Sequence, residues 1–228
     1  MNMPLVLSGV LLTVAAYALS RALAKRYPSP LTTPVFFSTA LIVLILVTSG
    51  TPFSDYQAAK DIMVTLLGPA TVALAVPIYK SRLVLAANAL PALAGIVAGV
   101  SSTLLVALVL GAGLMLEPAV LLSMSVKSVT APVALELARI INGNLTLAAT
   151  FVIATGMIGT MLGPWLMDRS GIRHPLARGL ALGTISHGQG TAQALSEGEL
   201  QGAIAGISMG VAAVLTSVAL PPLLQQFL

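Results

Sequence analysis

The sequence predicts an all-α polytopic membrane protein in which inverted structural repeats bring broken or re-entrant helices together at the bilayer midplane. Three observations predict it: a composition too apolar for water, a series of span-length apolar segments, and polar breaks at the centres of some of them. Of 228 residues, 57% are hydrophobic and only 8% are charged, and mean hydropathy is +0.99. Soluble domains carry roughly 25% charged residues. A bilayer span needs about 20 mostly apolar residues, and candidate segments occupy 4–24, 34–50, 62–79, 83–113, 117–140, 144–167, 176–197 and 201–227. They make one membrane domain over 1–228, with repeat one at about 1–113 and repeat two at about 117–228.

The start, Met1 to Tyr17, is apolar with no preceding basic region or cleavage site, so it is expected to be a retained helix. The third, fifth and seventh segments are poor plain helices. The third holds Gly68-Pro69 and Pro77, the fifth holds Lys127 to Pro132, and the seventh holds Gly183, Gly188 and Gly190 around Ser186-His187. Backbone groups in hydrocarbon all need partners, so such breaks survive where protein encloses them or a cavity is lined. Broken helices of this kind point to a transporter binding site.

Charge orients the segments. Arg21, Lys25 and Arg26, Lys80 and Arg82, and Arg169, Arg173 and Arg178 fall in three connections, which the positive-inside rule places in the cytoplasm. The connections at 51–61, 113–117 and 197–200 are acidic or weakly charged and are expected outside, as is the N-terminus. An odd number of crossings must separate 113–117 from 168–178, yet two segments lie between them. Segment 117–140, broken at its centre, is the natural re-entrant hairpin. Ala22-Leu23-Ala24-Lys25 through Thr32 resembles Glu136-Leu137-Ala138-Arg139 through Thr146, an internal repeat. The links Lys80-Ser81-Arg82 and Glu197-Gly198-Glu199 carry opposite charge, as expected of halves with inverted topology.

The chemistry concentrates in the breaks. Lys127, followed by Ser128, Thr130 and Pro132, is a cation ten residues after Glu117 and twelve before Arg139. A lysine at bilayer depth costs about 3 kcal/mol on insertion scales and is by default a functional-site hypothesis. Snorkelling to a headgroup is its structural alternative. The second constellation, Thr184 to Gln193, includes Ser186, His187, Gly190 and Thr191; its glycines expose backbone N–H groups to an anion. His187 either couples a proton to transport or is a core histidine packed among glycines. Pro69 and Thr71 mark the third break, as a binding element or a simple kink. These residues make the expected small-anion site: Lys127, Ser128, Thr130, Pro132, Ser186, His187, Gly190, Thr191, Pro69 and Thr71.

Other classes find no support. Basic residues lie in short connections, which is an orientation signal and not a nucleic-acid one. Cysteine is absent, and His174 and His187 have no nearby carboxylate set, so no metal or other cofactor is expected. There is no Gly-x-Ser-x-Gly elbow and no P-loop. An enzyme is not expected.

At Leu67 to Tyr79, Lys127-Ser128-Val129-Thr130-Ala131-Pro132, and Arg178 through Ser186-His187 and Gly190-Thr191-Ala192, the chain resembles the LrgB/CidB family of holin-like and antiholin-like bacterial membrane proteins. The likeness spans nearly the whole chain. The plastid glycolate/glycerate transporter of plants looks like a fusion of this family with a small LrgA-type partner, a part this chain lacks. The resemblance implies a multi-pass protein of the bacterial inner membrane that exports or exchanges a small monocarboxylate of the glycolate, glycerate or pyruvate type. It also implies a homodimer and a separate LrgA/CidA-like membrane partner. The rival expectation is a non-transporting regulator of murein hydrolase export and cell lysis.

Overall fold

The computed structural model describes residues 3–225, apart from the side chains of Pro4, Leu67, Thr71 and Gln225. The chain is all-α, as the composition predicts, with no strand among the described residues. Among the described residues five helical stretches are long and apolar enough to cross a membrane: Leu5–Arg26, Phe53–Lys80, Ala89–Gly113, Leu145–Arg169 and Glu199–Leu224. The chain divides into two compact units, Met1–Ala75 and Val76–Leu228.

The first unit contains α1 (Met3–Arg26), a 3-10 turn at Pro30–Thr32, α2 (Pro34–Thr48), α3 (Phe53–Thr65) and α4 (Leu67–Ala73). Pro34 opens α2, where a missing N–H costs nothing, and Gly50, at φ +65°, turns the chain beyond its end. Helices α1 and α3 approach closely at Gly9, where an added Cβ would stand 2.7 Å from the Ala59 methyl. A hydrogen bond of 2.7 Å between Thr13 Oγ1 and the Tyr56 hydroxyl joins the same pair. The stretch preceding the first repeat motif is thus the continuous helix α1, whereas its counterpart in the second half is broken.

The second unit begins within α5 (Ala75–Lys80) and continues through α6 (Arg82–Ala87), α7 (Ala89–Gly113), α8 (Pro118–Ser125), α9 (Ala131–Ile140), α10 (Leu145–Arg169), α11 (Pro175–Glu197) and α12 (Glu199–Gln225). Segment 83–113 is therefore two helices parted at Asn88, whose side-chain amide bonds the Val84 carbonyl at 2.8 Å. Ile96, Val100, Leu122, Val126, Leu137 and Val152 are buried in one apolar core shared by α7 to α10 and α12.

Segment 117–140 folds as two short helices joined by a bend. Its first arm, α8, reverses over 126–129 into α9. The chain beyond α9 comes back against α8: Ser123 Oγ, which donates to the Ala119 carbonyl of its own helix at 2.6 Å, accepts from the Asn144 N–H at 2.8 Å.

Segment 176–197 corrects the expectation of a crossing helix. Within α11, His187 has φ 41° and ψ −130°, and the helix axis breaks there. Arg178 nonetheless bonds Glu197 through Nε at 2.7 Å and Nη2 at 3.0 Å. Nineteen residues of straight helix would separate those two by about 28 Å, so α11 is also a hairpin, with arms 175–186 and 188–197. A Cβ on Gly190 would collide with the Leu182 carbonyl, so the arms touch near the bend. The acidic link 197–200 consequently shares an end of this unit with Asp168, Arg178 and Lys80, and is not on the opposite side. Lys80 Nζ meets Glu199 Oε1 at 2.9 Å. The opposite charges of the two links, expected to mark inverted topology, instead attract each other across one end of the unit.

Candidate functional site

Each reversal presents one of the two polar constellations. In the first, Val126 to Val129 form the bend, Thr130 is the N-cap residue of α9, and Pro132 occupies its first turn, where its missing N–H has no helical partner to lose. Lys127 Nζ donates to the Thr103 carbonyl of α7 at 3.3 Å. Among the described residues no carboxylate lies within 4 Å of this ammonium. An ammonium has three donors, so the carbonyl leaves donor capacity for an anion. Thr103 is ten residues from the Gly113 end and fourteen from the Ala89 end of α7, about 15 and 21 Å by helical rise. The cation therefore stands near mid-depth on this helix, not at a segment end from which it would snorkel.

In the second reversal His187 is buried and its Nε2–H donates to the Val152 carbonyl of α10 at 3.0 Å. The carbonyl can only accept, which fixes the proton on Nε2 in this geometry. A positive φ at a non-glycine residue is strained backbone, a feature that gathers at functional sites. Thr191 Oγ1 donates back to the His187 carbonyl at 2.9 Å, closing the first turn of the returning arm. Glycines of α10 receive this bend. A Cβ on Gly156 would stand 2.7 Å from His187 Cε1 and 2.5 Å from Gln189 Oε1, and one on Gly159 would overlap the Ser186 hydroxyl.

The two bends reach the same level of α7. Lys127 touches Thr103, and Gly99, one helical turn away, lies against Thr184 of the opposing hairpin, 2.9 Å from its Cγ2 to an added Cβ. The two hairpins enter from opposite ends: one is anchored at Asn144, where α10 starts, and the other at Asp168, where α10 finishes. Among the described residues only two buried side-chain polar atoms lack a partner, Ser128 Oγ and Gln189 Oε1, and they lie one in each bend. Lys127, Ser128, Thr130 and Pro132 are thus grouped on one tip, and Ser186, His187, Gly190 and Thr191 on the other. Pro69 belongs to the first unit, on the exposed surface of α4, and the side chain of Thr71 lies outside the described residues.

Sequence reasoning passes over the base of the second hairpin. Arg178 is buried, bonds Glu197 with two nitrogens, and bonds Asp168 Oδ1 at 2.6 Å and the Ile172 carbonyl at 3.0 Å through Nη1. Forked geometry of this kind suits a guanidinium and no other cation. The available signal was an arginine near the start and a glutamate at the end of a glycine-broken segment.

A profile of the LrgB-like family matches residues 13–226. The chain belongs to the LrgB-like family. It is 37% identical over 208 residues to the uncharacterized protein YxaC of Bacillus subtilis, covering 91% of this chain and 90% of that one. The antiholin-like protein LrgB of Bacillus subtilis is 32% identical, covering 95% and 94%. The holin-like protein CidB of Staphylococcus aureus (strain Mu50) is 30% identical, covering 96% and 95%. No solved structure matches. As an LrgB-like protein with several span-length apolar helices, the chain is a multi-pass membrane protein.

Proposed function

We propose that this LrgB-like protein is a secondary transporter of small monocarboxylates of the glycolate, glycerate or pyruvate type, working by alternating access. The observation that carries the reading is the pair of re-entrant bends that reach one level of α7 from opposite ends, one of them holding a cation without an acidic partner. Lys127 supplies the counter-charge, while Ser128 and Thr130 bond carboxylate or hydroxyl oxygens. Ser186, His187 and Thr191 form the opposing wall. Hairpins anchored at different ends can loosen one at a time, which exposes a shared site to alternate sides. An LrgA/CidA-like chain completes the system in the cell, and the protein works as a homodimer.

The second reading comes from the names of the relatives, holin-like and antiholin-like: a non-transporting regulator of murein hydrolase export. Counterflow of labelled glycolate into liposomes containing only the purified protein tests the two. Saturable exchange supports transport. No exchange above protein-free liposomes, in vesicles that stay tight to an uncharged dye, supports the rival.

A further inference from the structure

We propose that a cavity in the first unit, between α1, α2 and α3, binds a primary ammonium group at the membrane surface, as carried by an aminophospholipid headgroup. The inference does not depend on the transport reading, and none of its residues belongs to either bend. The cavity measures about 250 Å³. One stripe of α1, made of Leu5, Ser8, Gly9 and Leu12 at steps of three, one and three residues, lines it together with Ile45 and Leu46 of α2. Ser49 and Thr51 from the connection between α2 and α3, with Asp55 and Tyr56 of α3, complete the wall. The α1 residues lie in the first turns of a helix long enough to cross the membrane, and the chain passes from α2 to α3 at the same end. The cavity is therefore level with one membrane surface, where headgroups lie.

The polar side chains of this wall offer acceptors and no free donor. Ser8 Oγ donates to the Leu5 carbonyl at 2.7 Å. Thr13 Oγ1 donates to the Gly9 carbonyl at 2.8 Å, so the proton in its bond to Tyr56 belongs to the tyrosine, whose oxygen is left to accept. Ser49 Oγ donates to the Leu46 carbonyl at 3.2 Å and, with its proton so committed, accepts from Thr51 Oγ1 at 2.8 Å. A hydroxyl has one proton and two lone pairs, so these oxygens show only lone pairs to a ligand. Asp55 adds a carboxylate with no Lys, Arg or His nitrogen within 4 Å among the described residues, and its one side-chain partner is Ser54 Oγ at 3.5 Å. Lys60, the cation nearest to it in sequence, pairs with Asp61 at 3.2 Å. A place in the first turn of α3 favours a carboxylate without any ligand, but it does not account for the hydroxyl acceptors gathered around it. Lone pairs and one negative charge beside apolar walls match a cation that carries only donors on a hydrocarbon body. An ammonium has three donors and no acceptor, whereas a quaternary ammonium keeps the charge and loses the donors.

The experiment is native mass spectrometry of the full-length protein from micelles doped equally with phosphatidylethanolamine and phosphatidylcholine of identical acyl chains. Wild type should retain phosphatidylethanolamine roughly tenfold over phosphatidylcholine, the scale of one hydrogen bond to a charged group. Asp55→Asn, which keeps the size and removes the charge, should bring the two lipids to parity. Leu12→Phe, which fills the cavity, should do the same if the asparagine variant folds poorly. Hexylamine in place of the lipids distinguishes the carriers: Asp55-dependent hexylamine binding without a phosphatidylethanolamine preference keeps the ammonium site and makes its carrier a free amine. Equal retention of both lipids by wild type, with no Asp55-dependent hexylamine binding, overturns the inference. A phosphatidylethanolamine preference that survives in folded Asp55→Asn and Leu12→Phe overturns it too, since the lipid would then be held elsewhere on the protein.

Discussion

The Arg178 guanidinium holds Glu197 through two nitrogens, 2.7 and 3.0 Å from the carboxylate oxygens, although 19 residues separate them. That pair converts an apolar, glycine-broken segment into a loop that returns to its own start. The side chains of Arg178 and Glu197 are only 11% and 15% exposed, whereas Lys80 and Glu199 beside them are more than half exposed.

Unequal exposure gives unequal energies. Breaking a buried pair by removing one partner costs about 3 kcal/mol or more, while an exposed pair is worth about 1 kcal/mol or less. Arg178→Met should therefore lower the unfolding midpoint in detergent micelles far more than Lys80→Met. Equal, small losses in both variants would mean that the hairpin base does not depend on this ion pair.

Topology can be read with single cysteines, since the chain has none of its own. Cysteines at Lys80 and Glu199 should react with an impermeant maleimide from one side of the membrane, and cysteines at Met115 and Asn142 from the other. Labelling of Glu199→Cys from the same side as Met115→Cys would restore α11 as a crossing helix.

The break in the fifth segment was legible because a lysine inside an apolar run, a helix-breaking proline and a crossing count that needed one segment fewer all pointed to it. The seventh segment carries a comparable break, but its link is acidic, and acidic residues say little about sidedness. What decides its path is Glu197 with Arg178 and Glu199 with Lys80, pairings 19 and 119 residues apart that no local pattern contains. The same limit hid the receptors for Lys127 and His187. Both are backbone carbonyls, of Thr103 and Val152, and a carbonyl leaves no mark in a sequence. Residue types at the two tips were readable, whereas the depth at which α7 brings them level was not.

Glycine packing supplies another test. A Cβ on Gly183 would drive into the backbone of Ala205 on α12, and one on Gly156 would meet His187 and Gln189, but one on Gly95 would make ordinary contact with Leu180 at 3.5 Å. Gly183→Ala and Gly156→Ala should each cost about 1–3 kcal/mol through overpacking, measured as thermal stability in micelles. Gly95→Ala should be close to neutral, and a ranking in the reverse order would mean that the second hairpin does not pack along α10 and α12 as described.

Whether Lys127 holds an anion between the two bends is decided by counterflow of labelled glycolate, with wild type and Lys127→Met reconstituted at matched protein density. Wild type should show saturable exchange. Lys127→Met should insert normally, because it also sheds the insertion cost of a buried cation, yet exchange no faster than protein-free liposomes. Exchange by the methionine variant at the wild-type rate would mean that Lys127 is not the counter-charge.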